Sequence, residues 1–109
     1  MVSGKRFSTT GSERKMAGTK CVREVTIKNK LGLHARPASL FVQMASGFDS
    51  EITVTREGAP EPADGKSLMS MLILTATCGT VLVIKGEGKD SEEAVQALAE
   101  LVERGFDED

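Results

Sequence analysis

The chain has 109 residues, a formal net charge of −2 and 39% hydrophobic residues. Those values suit one globular domain with one modest core, and no apolar run approaches the ~18 residues that a membrane span needs. The acidic balance argues against a basic nucleic-acid-binding face, and with no Trp, no Tyr and only four Phe the chain has few stacking platforms.

Residues 1 to 20 hold Lys5, Arg6, Arg14, Lys15 and Lys20 against Glu13, and nine of these twenty residues are Ser, Thr or Gly. Such a stretch cannot bury enough apolar surface to fold. It is expected to be a disordered leader, or an extension ahead of a native start at Met16. It has no apolar centre of the kind a secretory signal carries, so a cytoplasmic protein is expected, with a transit peptide as the lesser alternative. Removing the leader's +4 from the whole-chain charge leaves residues 21 to 109, the folded domain, at −6. Cys21 and Cys78 stand far apart without a Cys-x-x-Cys pattern. Both are expected to be free thiols, Cys78 serving as packing and Cys21 incidental.

Val22 to Lys28 reads as a strand marked by Val22, Val25 and Ile27, and Asn29-Lys30-Leu31-Gly32 supplies turn chemistry. The pattern then changes period. Pro37 suits a first helical turn, because its missing N–H would have had no partner there. Ala38, Phe41, Val42 and Ala45 repeat at i, i+3, i+4 and i+7, which predicts a helix starting at or just after His34 and ending near Gly47. Leu40 and Met44 lie off that stripe, and belong either to the edge of the core or to an apolar surface near His34.

Glu51 to Arg56 alternates as a half-buried strand does, whereas Pro60 and Pro62 limit Ala59 to Asp64 to a short edge strand at most. Ser67 is placed to cap a short helix. Its Leu68, Met69, Met71, Leu72, Ile73 and Leu74 are apolar nearly all round, so it is either deeply buried or meets another protein. Thr80 to Glu87 is a strand centred on Val81 to Ile84. Asp90 is expected to cap the last helix with Glu93 at the capping-box position. Ala94, Val95, Leu98, Leu101 and Val102 form its buried stripe, Gly105 ends it, and its acidic residues and those of the tail read as a solvated face. The order β-α-β-β-α-β-α predicts a two-layer α/β sandwich, with one antiparallel sheet covered on one face by helices.

His34, the only histidine, falls where a loop becomes a helix. The free N–H groups of Ala35 and Arg36 and the positive end of the helix dipole are expected to face its ring, and would stabilise an anionic group attached to it. Arg36 adds a planar cation suited to phosphate oxygens. No His/Cys/Asp/Glu cluster has metal-ligand spacing and no Walker-type run occurs. No metal or cofactor is therefore expected. The chemistry suggested is a histidine that carries a phosphoryl group for others.

Lys30-Leu31-Gly32-Leu33-His34-Ala35-Arg36-Pro37-Ala38 resembles the active-site segment of the HPr family, the histidine-containing phosphocarriers of the bacterial phosphotransferase system. The resemblance spans residues 22 to 109 and includes a second landmark at Lys66-Ser67-Leu68-Met69. It implies an open-faced sandwich, with a four-stranded antiparallel sheet and three helices. It also implies a relay in which an enzyme I charged by phosphoenolpyruvate loads Nδ1 of His34, and His34 passes the group to an enzyme IIA. Arg36 would stabilise the phosphate, and Ser67 would be a regulatory target of an HPr kinase/phosphorylase. Ala35, Ser39, Leu40, Gln43, Leu68, Met69 and Leu72 would dock partners, with the chain acting as a monomer.

Gly105-Phe106-Asp107-Glu108-Asp109 and Asn29-Lys30-Leu31-Gly32 resemble the nitrogen-type members of that family. Gln43, Ser46 and Ser70 stand where sugar-type carriers often have lysines. The nitrogen branch is therefore favoured over the sugar branch. Two other readings stay open: a regulator-binding module in which His34 is inert, and an HPr-like piece of a longer fusion protein.

Overall fold

A computed structural model describes residues 19–59 and 61–108. The expected leader, except for its last two residues, and Pro60 lie outside them. In chain order the elements are β1 (Lys20–Thr26), α1 (Ala35–Ser46), β2 (Glu51–Arg56), β3 (Ala63–Asp64), α2 (Leu68–Ile73), β4 (Val81–Glu87), α3 (Ser91–Glu103) and a 3-10 turn at Gly105–Asp107. This is the expected order.

The four strands lie in the order β1-β4-β2-β3, all antiparallel. On β4 the burial alternates, with Leu82, Ile84 and Gly86 buried and the residues between them half-buried. One face of the sheet is therefore dry and the other open. Val25 pairs with Leu82, Val54 with Ile84 and Ile52 with Gly86, so the register brings the apolar positions to the same side. β1 starts two residues earlier than its apolar pattern suggested, because Lys20 and Cys21 pair with Glu87 and Gly86. Val22 points to the open face.

The helices cover the dry face. Pro37, Ala38, Phe41 and Ala45 of α1 are buried, Pro37 joining the stripe while Val42 is only half-buried. From α3, Ala94, Val95, Leu98, Ala99, Leu101 and Val102 are buried. α2 is the exception. Met71 is buried, yet Met69 is 68% and Ile73 73% exposed, which decides between the two expectations for this helix in favour of a surface element.

Ser67 caps α2 as expected, its Oγ accepting the Ser70 N–H at 3.2 Å. Asp90 does not cap α3 with its side chain. Its carboxylate instead accepts the amides of Asp49 at 2.8 Å and Ser50 at 2.9 Å, and the Ser50 hydroxyl. These bonds tie the α1–β2 connection to the start of α3, and together they hold the Asp90 carboxyl below the usual Asp range, the Ser50 hydroxyl contributing most. The expectation for the cysteines is also reversed. Cys78 is exposed, whereas Cys21 packs against the core, because the strand reaches further toward the N-terminus than its apolar residues indicated.

Candidate functional site

The turn ahead of α1 is built around Gly32. Its φ is +71°, and a Cβ there would run into the Ala76 carbonyl oxygen and lie 2.8 Å from Thr77 Cα, so only glycine fits. The amide of the next residue, Leu33, donates to Ala76 O at 2.8 Å, and the Leu33 side chain is buried. His34 follows as the N-cap of α1 with extended backbone. Its carbonyl accepts the first intrahelical bond, from Ala38 N, at 2.9 Å.

The ring of His34 makes no cap hydrogen bond to the helix amides. It lies instead against the C-terminal tail, with Nε2 3.1 Å from the Glu108 carboxylate. The carboxylate can only accept, so Nε2 meets it as an N–H donor. The side chain remains 37% exposed.

The tail reaches this place because α3 stops on Arg104 and Gly105, whose φ is +69°, and then reverses. Phe106, itself at φ +58°, is buried in the core at 2% exposure. Arg104 Nε bonds Asp107 at 3.0 Å. Glu108 is thus carried to His34 by a turn with an aromatic anchor, and the reading of its side chain as solvated is corrected. Asn29, buried at 2% exposure, completes the arrangement. Its Nδ2 donates to Gly32 O at 2.7 Å and to Glu108 Oε1 at 3.0 Å.

Beside this constellation is a cleft of about 600 Å³ lined by residues that include Asn29, Lys30, Leu31, Arg36, Leu40 and Glu108. Arg36 is exposed at its edge. Of the other residues named from the sequence, Ala35 and Gln43 are exposed, Ser39 and Leu40 half-buried, and Leu68 is 40% exposed. Leu72 is half-buried and packs on the core, which leaves Leu68, Met69 and Ile73 as the outward apolar residues of α2. α1 and α2 pack against each other. Leu31, 75% exposed, was not marked by its pattern, since one apolar residue in a turn has no periodicity to mark it. Among the described residues no group of three or more His, Cys, Asp or Glu could hold a metal, and no helix is long and apolar enough to cross a membrane.

A protein-family model described as "PTS HPr component phosphorylation site" matches residues 21–104. The chain belongs to the HPr family. It is 43% identical over 86 residues to the phosphocarrier protein HPr of Xylella fastidiosa strain Temecula1, covering 79% of this chain and 94% of that one. It is 41% identical over 90 residues to the phosphocarrier protein NPr of Shewanella violacea, covering 83% and 97%. Among solved structures, the HPr-C-His protein from Thermoanaerobacter tengcongensis superimposes with a TM-score of 0.76 at 44% identity, over 82% of this chain and 98% of that one. The HPr from Bacillus anthracis does so with a TM-score of 0.71 at 38% identity, over 76% and 96%. The open-faced sandwich is thus the HPr fold, and the protein is an HPr phosphocarrier of the phosphotransferase system. Membership implies partners of that system, such as an enzyme I and an enzyme IIA.

Proposed function

We propose that His34 is the residue that carries the phosphoryl group, accepting it from an enzyme I charged by phosphoenolpyruvate and passing it to an enzyme IIA in the nitrogen-regulatory branch. The observation that carries this reading is that the sole histidine is the N-cap of α1 with a half-open ring. A phosphoryl group on that ring lies at a helix start, where first-turn N–H groups have no intrahelical partner and the dipole favours an anion. Such contacts at a surface contribute only about 0.3 to 1 kcal/mol each. They support loading without trapping the group.

Arg36, exposed beside the cleft, balances the phosphoryl charge during transfer. The partner surface is Ala35, Ser39, Leu40 and Gln43 of α1 with Leu68, Met69 and Leu72 of α2. Ser67, at the N-cap of α2, is the regulatory site for an HPr kinase/phosphorylase. The chain acts as a monomer, although an HPr dimer from Thermoanaerobacter tengcongensis is among the similar structures.

The similar proteins carry both HPr and NPr names at comparable identity, so identity does not divide the branches. The nitrogen branch is supported by Asn29 and Glu108, two residues of the segments that resemble nitrogen-type carriers, which meet beside His34. Incubation with phosphoenolpyruvate and an enzyme I of each branch, followed by intact mass, tests the whole reading. One acid-labile phosphoryl adduct is expected on wild type and none on His34→Ala, with faster loading by the nitrogen-type enzyme I. A normal adduct on the variant would remove His34 from the role.

A further inference from the structure

We infer that Glu108 is a positioning residue for His34: its carboxylate accepts the Nε2–H, fixes the ring's orientation and keeps the proton on Nε2, so that Nδ1 is the nitrogen open to phosphorus. This rests on the reading of His34 as the carrier.

The geometry is a closed loop of hydrogen bonds. The His34 amide donates to Gly32 O at 3.0 Å. Asn29 Nδ2 donates to the same carbonyl and to Glu108 Oε1, and the other Glu108 oxygen is 3.1 Å from His34 Nε2. Backbone and ring of one residue are thus referred to a single buried amide. Glu108 is not left to wander, since its own N–H donates to Gly105 O at 3.0 Å and Phe106 anchors the turn that presents it. A carboxylate can only accept, so the nitrogen it contacts must be the protonated one. In the neutral ring Nδ1 is then the nitrogen with the lone pair.

In the transfer, the Nδ1 lone pair forms the new bond to phosphorus. The bond from phosphorus to the donor nitrogen breaks, and its electron pair stays on that nitrogen. The Nε2 proton does not move, so the phosphorylated ring becomes cationic, and Glu108 lies against that positive charge. The logic is that of a carboxylate orienting a catalytic imidazole. Arg36 and Lys30 face the same cleft, as does Asp107. Of these charged groups, Glu108 is the one bonded to the ring.

Potassium phosphoramidate, a small donor that needs no protein docking, separates this role from partner recognition. Attack of Nδ1 on its phosphorus expels the amide nitrogen, which takes up a proton and leaves as ammonia. Wild type is expected to give the Nδ1 adduct, identified by ring nitrogen-15 and phosphorus-31 NMR. Glu108→Ala is expected to load about ten-fold more slowly, on the scale of losing one charge-assisted hydrogen bond at a half-open site, and to give a share of Nε2 adduct. Glu108→Gln, which keeps an acceptor but not the charge, is expected to fall between them. Thermal unfolding of Glu108→Gln should match wild type, and Glu108→Ala, which leaves one N–H of the buried Asn29 amide without its partner, should melt lower yet remain folded at the assay temperature. An unchanged isomer ratio in Glu108→Ala, with or without a change in rate, would overturn the positioning role. Failure of wild type to take up phosphate at His34 from either phosphoramidate or enzyme I would instead overturn the carrier reading itself, and this role with it.

Discussion

Gly32, Arg36 and Ser67 illustrate three different kinds of dependence on a single side chain. Gly32→Ala would force a Cβ into the Ala76 carbonyl at a positive φ. The expected result is a loss of roughly 1 to 3 kcal/mol, read from urea unfolding, together with slower phosphotransfer because the turn that presents His34 is displaced. Arg36 is exposed, so Arg36→Ala should leave stability within about 0.5 kcal/mol while slowing transfer through His34 by a large factor. Unchanged transfer kinetics would remove its assigned role. Ser67 Oγ caps α2, and a phosphate there meets a helix N-terminus that tolerates it but places about two negative charges beside Leu68 and Met69. Ser67→Asp should fold and be loaded more slowly by the cognate enzyme I at low salt, whereas Ser67→Ala should lose about 0.5 to 2 kcal/mol of cap energy without that slowing. Equal loading rates for wild type and Ser67→Asp would leave Ser67 as a cap alone.

Between elements, the notable joint is Asp90. Its carboxylate gathers two amides and the Ser50 hydroxyl from the connection between α1 and β2, and these bonds lower its pKa. A lowered carboxyl pKa means that the stabilisation is fully present above the unfolded value of about 3.9 and is lost as pH falls through the lower folded value. Thermal melts between about pH 5 and pH 2 should therefore show Asp90→Asn already less stable than wild type at the upper end, and converging on it at the lower end. Parallel pH profiles for the two proteins would show that Asp90 does not contribute. This joint also explains why a capping-box pattern misled: Asp90 has one carboxylate, and two amides plus a hydroxyl on a neighbouring connection outcompete one helix amide.

The whole molecule depends on one layer of side chains between the sheet and the helices. Phe41, with no exposed surface, lies in that layer with Ile84, Leu98 and Phe106. Phe41→Ala should cost about 3 to 5 kcal/mol, a large part of the 5 to 15 kcal/mol that holds a typical domain folded. Urea unfolding would measure it, and a loss below about 1 kcal/mol would mean that the site collapses more freely than a close-packed core allows. Deleting residues 1 to 15 should leave both the circular dichroism spectrum and the loading of His34 unchanged. Loss of folding on that deletion would show that the segment belongs to the domain.

Local pattern alone determined the order of elements, the stop of α1 at Gly47, the cap at Ser67 and the placing of His34 at a helix start. Periodicity and turn chemistry are properties of neighbouring residues, which any single stretch displays. Tertiary structure decided what depends on distance in the chain. Nothing near Glu108 in sequence marks it as different from Glu103 or Asp107, yet the buried Phe106 and the positive φ of Gly105 return it to a histidine 74 residues away. Asn29 showed only as a turn former until the fold brought the tail to its amide. The outward face of α2 was equally hidden, since a helix apolar all round carries no moment to say which side meets the core; Met71 turned inward, and Met69 and Ile73 remained in solvent.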